Sequence, residues 1–289
     1  MHSGIECLPC AIRQCRQIVK MVGGNEELER KAVERAGAVA KGLSLDEPPS
    51  TYTSRILLAV MSLLDSSDPF KQMKAEQNRA ARPVAEKADR EIAESPEPLK
   101  TALMLAAAGN VIDPGPRHSF SIDDALKELQ FAHDDSDMLI ERLDHSKRIM
   151  YILDNSGEVM FDILVLKRLP KADLVIVARP GPILNDVTVN EAKELGLEEF
   201  GRVIGTGSQF LGVDLATVSD EFRKVYENAD VVIAKGHANF ESLVGRGRDG
   251  FFVLTAKCEL VAEPLGVKLG ESACFYSEGS SAEPLNPSF

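Results

Sequence analysis

The residues of this 289-residue chain whose types suit them to chemistry fall in four short polar runs. These are Asp154-Asn155-Ser156-Gly157-Glu158, Arg179 through Asn185-Asp186, Lys235-Gly236-His237-Ala238-Asn239-Phe240-Glu241, and Lys257-Cys258. Asp154, Asn155 and Asp186 offer two carboxylates and an amide oxygen. That hard donor set suits Mg²⁺ or Mn²⁺, with positions left open for water and a phosphate oxygen. Lys235 and Lys257 supply positive charge and donors for the remaining oxygens of a phosphoryl group, and Asn239 and Glu241 could orient a substrate. Gly157 and Gly236 let the backbone turn tightly and approach an anion closely, and the helix N-termini that follow them add donors. Together these runs outline a phosphoryl-transfer site.

Each run also has an ordinary reading. Asp-Asn-Ser-Gly is a common turn, because its side chains bond their own backbone and glycine tolerates positive φ. Asn185-Asp186 precedes an apolar helical stretch, where such residues often cap the helix. Lys235 taken alone is a surface lysine. The functional reading rests on complementary groups recurring after several predicted strands.

Those strands come from the pattern of the second half of the chain. From Lys147 onward, short β-branched runs (Arg148–Leu153, Leu174–Ala178, Arg202–Gly205, Val231–Ala234 and Phe251–Thr255) alternate with helical stretches at Val159–Arg168, Val187–Leu195, Ser219–Glu227 and Asn239–Val244. Parallel strands need crossover connections, so this rhythm predicts an α/β fold with a Rossmann-like, mainly parallel sheet and helices on both faces. In such a sheet, ligands bind outside the carboxyl ends of the strands, where all four polar runs fall.

Before Lys147, apolar positions recur at helical spacing from about Leu8 to Ala108, as in Ala11, Cys15, Ile18 and Val19. Breaks at Gly23-Gly24, Asp46 to Ser50, Asp65 to Pro69 and Ser95 to Pro98 divide this stretch into several helices. Asn110 to Ser121 reads as a loop, and Asp123–Phe131 and Met138–Leu143 as short helices. The expected organisation is a helical region over 1–118, an α/β metal- and substrate-binding region over 119–276 and a flexible tail over 277–289.

A net charge of -12 argues against a protein that coats nucleic acid, which gains its affinity from clustered Lys and Arg. The N-terminus has no signal-like apolar core, and the most apolar run, Ile56 to Leu64, is too short to span a bilayer. Together with five sparse cysteines, this predicts a cytoplasmic protein in a reducing compartment, with no membrane role. Cys7-Leu8-Pro9-Cys10 has the spacing of a metal knuckle or a redox pair. A full zinc site would need two more ligands, and no second such pair exists.

Taken together, Cys7-Leu-Pro-Cys10, Asp68-Pro-Phe-Lys-Gln-Met-Lys74 with Asn78, Gly109-Asn110-Val-Ile-Asp113, Asp154 to Glu158, Arg179 to Asp186 and Lys235 to Glu241 resemble the metal-dependent damage-control phosphatases of domain-of-unknown-function family eighty-nine, in the subgroup with an N-terminal Cys-x-x-Cys. The resemblance covers nearly the whole chain. It implies a divalent metal (Mg, Mn, Co or Ni) on Asp154, Asn155 and Asp186. It also implies that Glu158, Lys235, Asn239 and Lys257 face the substrate, with Asn110 and Asp113 bordering the cleft from the helical side. The implied substrate is a small phosphorylated metabolite, such as a sugar phosphate, a phosphopantetheine-type ester or a damaged relative of these. Direct attack by water and formation of an aspartyl phosphate on Asp154 are both open.

Two other function classes compete. A nucleotide-dependent oxidoreductase would want G-x-G-x-x-G after the first strand, where Asp154 to Glu158 has one glycine. A non-catalytic phosphometabolite-binding protein would use the same cleft without turnover.

Overall fold

The order of the fold follows from which face of the sheet each strand residue meets. In the computed structural model, which describes residues 1–109 and 129–280, the strands are β1 (His133–Asp134), β2 (Arg148–Ile152), β3 (Asp173–Ala178), β4 (Arg202–Gly205), β5 (Val231–Lys235), β6 (Gly250–Thr255) and β7 (Ser272–Ser277). They form one sheet in the order β1-β7-β6-β5-β2-β3-β4. The β6–β7 pair is antiparallel and the other five pairs are parallel.

The helices are α1 (Cys7–Met21), α2 (Glu26–Ala40), α3 (Pro49–Met61), α4 (Lys71–Ile92), α5 (Pro98–Ala108), α6 (Ser136–Asp144), α7 (Val159–Leu166), α8 (Val189–Glu194), α9 (Asp220–Asn228), α10 (His237–Leu243) and α11 (Glu259–Leu265). Side chains alternate faces along a strand, so each central strand feeds two cores. Ile149, Tyr151, Ile176 and Ile233 join the core that α4 to α8 cover. Met150, Ile152, Val175, Val177 and Val232 join the opposite core, covered by α9, α10 and α11. Because both faces are covered, the strands read as near-continuous apolar runs.

The first three helices pack on one another around Ala11, Cys15, Ile18, Tyr52, Ile56 and Leu57, and Ile183 and Leu211 join them from beyond the sheet. On α4, Ala81, Ala85, Ala88 and Ile92 form a buried stripe at three- and four-residue spacing that faces the sheet core. Helix α7 is apolar on every side except at Asp162, and it is sandwiched accordingly. No described helix is long and apolar enough to cross a membrane.

The expected α/β class and the mainly parallel sheet are what the chain forms. The five expected strands correspond to β2 through β6. Strands β1 and β7 and helix α11 were not anticipated. Strand β7, Ser-Ala-Cys-Phe-Tyr-Ser, is only partly buried, and β1 has two residues, so neither carries the apolar run that marks a central strand. The loop expected at Asn110–Ser121, the boundary expected after residue 118, residues 123–128 of the helix expected at Asp123–Phe131 and residues 281–289 of the expected tail lie outside the described residues.

Candidate active site

The carboxyl edges of β2, β3, β5 and β6 bring the polar runs together. The chain leaves β2 at Asp154, and Asn155 pairs as an isolated antiparallel bridge with Asp186, which returns from the loop after β3. A second bridge, Arg179 with Thr188, fixes the base of that loop. The Val187 N–H donates to the Asp154 carbonyl at 2.9 Å, and the Ser156 N–H donates to the Asn185 carbonyl at 2.8 Å. Backbone ladders therefore hold the two aspartates side by side, which leaves little to loop flexibility. A Thr188–Glu191 capping box then starts α8.

Both aspartates are buried, at 4% and 2% exposure. Burial pushes the Asp154 carboxyl well above the usual carboxylate range, the negative charges of Asp186 and Glu158 push it further, and Lys257 and Arg179 oppose the shift. Burial likewise raises Asp186, against the pull of Arg179 and Lys257. The Asn155 amide donates to Asp154 Oδ2 at 2.6 Å. Two buried carboxylates that resist ionising together form a site that gains from an added cation.

Arg179 is fully buried and spans the site from below. Its Nε donates to Asp186 Oδ2 at 2.8 Å, one terminal nitrogen donates to the Gly212 carbonyl at 2.6 Å, and the other donates to Asn239 Oδ1 at 3.0 Å. Asn239 in turn donates to the Leu153 and Lys235 carbonyls at 3.1 and 2.6 Å. Its amide is thus committed within the protein, and in this arrangement Asn239 is a strut between β2, β5 and Arg179.

Lys235, expected to face the substrate, points the other way. Its side chain is fully buried, and its ammonium donates to Glu158 Oε1 at 2.6 Å, Asp162 Oδ1 at 2.8 Å and the Ala106 carbonyl at 2.9 Å. Three acceptors consume its three N–H groups. The physical reason is Asp162, the one polar side chain of α7, which also accepts from the Tyr151 hydroxyl at 2.8 Å and needs a cation below the sheet edge. Burial would lower the Lys235 pKa, but Asp162 and Glu158 outweigh it and raise it. Burial pushes Asp162 up to about 6, with Lys235 opposing. Glu158 Oε2, Asp162 Oδ2 and the Ser156 hydroxyl are buried without a hydrogen-bond partner.

Lys257, at the end of β6, is exposed, and its charge reaches both Asp154 and Asp186. Asn110 and Asp113 lie outside the described residues. Cys7 and Cys10 are free thiols in the first turn of α1. Burial raises Cys7, and the charges of Glu241, Cys258 and Cys10 add to the shift. His237 lies 3.5 Å from Cys258 Sγ and 3.2 Å from Glu241 Oε1, so Glu241 is engaged away from the aspartate pair. Among the described residues no group of three or more His, Cys, Asp or Glu side chains is gathered to hold a metal. The strand-end set is two carboxylates and an amide.

Gly236 shows how tightly this edge is built. Its φ is +80°, and a Cβ there would lie 1.9 Å from Asp154 Oδ2. Gly236→Ala is therefore expected to displace Asp154 and to cost at least ~2 kcal/mol from the clash and the strained backbone. Thermal unfolding checks this, and an unshifted midpoint would show that the edge can yield.

Sequence reasoning missed the roles of Asp162, Tyr151 and Asn78, and gave Arg179 no role of its own. Asn78 Oδ1 accepts the Gly157 N–H at 2.6 Å and so fixes the first turn from α4. An arginine directly after an apolar strand and a lone aspartate inside an apolar helix were the available signals.

The chain matches the family model "Damage-control phosphatase ARMT1-like domain" over residues 5–273. It is 37% identical over 285 residues to a damage-control phosphatase of Pyrococcus horikoshii, covering 94% of this chain and 97% of that one. It is 28% identical over 275 residues to a damage-control phosphatase of Archaeoglobus fulgidus, covering 92% and 96% of the two chains. The crystal structure of a duf89 family protein from Pyrococcus horikoshii superposes with a TM-score of 0.87 at 36% identity, covering 96% of this chain and 100% of the other. With the family domain spanning nearly its whole length, this chain belongs to the damage-control phosphatase family with the ARMT1-like domain.

Proposed function

We propose that the protein is a metal-dependent phosphatase that hydrolyses a small phosphorylated metabolite at the edge formed by Asp154, Asn155 and Asp186. The observation that carries this reading is the buried aspartate pair, set side by side by backbone bonds and raised in pKa because burial outweighs the pull of nearby positive charge. The damage-control phosphatase names of its relatives support the same reaction class.

The residues present fit a divalent cation such as Mg²⁺, Mn²⁺, Co²⁺ or Ni²⁺. Asp154 and Asp186 would hold it through carboxylate oxygens and Asn155 through its amide oxygen, which a half-turn of the terminal amide presents. When bound, such an ion polarises the phosphoryl group and neutralises charge on its oxygens. The protein's own groups do the rest. Lys257 would hold phosphate oxygens from the open side, Arg179 keeps Asp186 at a fixed angle, and Glu158 Oε2 and Ser156 Oγ, which have no hydrogen-bond partner, would serve as proton acceptor and donor. Lys235 fixes Glu158 from beneath. The substrate class is sugar phosphates, phosphopantetheine-type esters and their damaged forms.

Metal-stripped protein tested on a panel of phosphorylated metabolites, with each metal added back singly, is expected to release phosphate only when metal is present. No release under any condition, from protein shown to bind metal, would instead favour a phosphometabolite-binding protein built on the same edge.

A further inference from the structure

A cleft of about 640 Å³ lies between α4 and the segment that follows β3, and the reaction proposed above uses none of its charged groups. Lys71, Arg79 and Arg82 line one wall. With Ala75 and Asn78 they recur at helical spacing on one face of α4. The opposite wall comes from Pro180, Gly181, Thr188 and Asn190.

The charges in this cleft are not balanced. Asp68 and Glu191 both contact the ammonium of buried Lys74, at 2.8 and 2.7 Å, and are neutralised there. Among the described residues Lys71, Arg79 and Arg82 make no ion pair, so three available cations face one unpaired carboxylate, Glu194. In a chain of net charge -12, cations with carboxylates close by ordinarily pair with them. Three left open around one concavity focus a positive field where the rest of the surface repels anions. Two guanidinium groups one helical turn apart also present forked donors matched to phosphate or carboxylate oxygens.

The cleft adjoins the two loops that carry the aspartates. Asn78 lines it while holding the Gly157 N–H, and Thr188 lines it two residues beyond Asp186. We propose that this cleft binds an anionic group of a small molecule through Arg79, Arg82 and Lys71, distinct from the phosphoryl group at the aspartates. The group belongs either to the far end of a substrate carrying two anionic groups or to a separate small anion. Only the first source rests on the phosphatase reading.

The test titrates sodium pyrophosphate into EDTA-treated protein by calorimetry at low salt. Binding at one site is expected, weakened at least about tenfold in R79A/R82A and partly restored in R79K/R82K. No binding, or equal binding by the R79A/R82A variant, overturns the proposal. The source is read from KM for a hexose monophosphate and the corresponding bisphosphate. A rise in R79A/R82A confined to the bisphosphate assigns the cleft to the far end of the substrate. Arginine-dependent pyrophosphate binding with both KM values unchanged assigns it to a separate anion. If no ester is hydrolysed while arginine-dependent binding persists, the phosphatase reading fails and the anion site stands.

Discussion

Asp154→Asn is expected to lower metal-dependent phosphate release by at least about 10²–10³-fold, while the thermal midpoint of the metal-free protein holds or rises. Asparagine keeps the shape of the side chain and removes its charge. In the metal-free protein that charge is a burden, because burial, Asp186 and Glu158 all disfavour the ionised form. Neutralising it removes repulsion at a site whose shape is set by backbone bonds from Val187 and Ser156 rather than by the carboxylate. With metal, the same charge becomes the main attraction, so affinity and turnover fall together. Calorimetric metal titration, hydrolysis and unfolding on one preparation check both halves. Retained metal binding, or a clearly lowered metal-free midpoint, would mean that Asp154 serves the fold rather than the site.

Lys235→Met is expected to act through stability. Removing the ammonium leaves Glu158 and Asp162 as carboxylates in the interior without their cation. Loss of one partner from a buried ion pair typically costs roughly 3–5 kcal/mol. For a chain of this size that is a fall in the midpoint on the order of 10 °C. The deficit should depend on pH, with a definite sign. Asp162 is raised from an ordinary value near 3.8 to about 6, so its protonated form is favoured in the folded state. Lys235 opposes that shift, so without it the carboxyl is raised further, and the deficit relative to the parent is absent at low pH and opens as pH rises through about 6. The variant should therefore lie closest to the parent near pH 5 and fall furthest behind near pH 8, with Asp162→Asn in the variant background recovering part of the loss. A deficit that does not change with pH would place its origin in packing of the lysine stem.

How much could be read in advance follows from the physics of each element. Strands β2 to β6 are covered on both faces, so they are continuous apolar runs that no other reading explains as well. Asp154 and Asp186 were singled out because the carboxyl end of a strand is where an α/β sheet puts its ligand groups, and the structure places them side by side. Lys235 illustrates the limit. From the sequence it is a cation at a strand end, free to face either way. Its direction is decided by Asp162 and Glu158, 73 and 77 residues away in the chain, which demand a buried counter-charge. Asn239 was expected to face the substrate, but its amide is taken up within the protein for the same kind of reason, because Arg179 needs an acceptor. The cationic face of α4 was equally hidden. Lys71, Arg79 and Arg82 read as a solvated helix surface until the loop after β3 is folded against them.

Helix α4 also sets how the site can come apart. Lys74 holds Glu191 at the start of α8, Gln77 accepts from the Asn185 amide at 3.3 Å, and Asn78 holds the Gly157 N–H, so neighbouring turns of one helix splint both aspartate-bearing loops. Undocking α4 would remove these side-chain ties from both loops at once, leaving the backbone bonds between the loops as the remaining restraint. The outer restraint on the site is thus one shared helix rather than two independent ones.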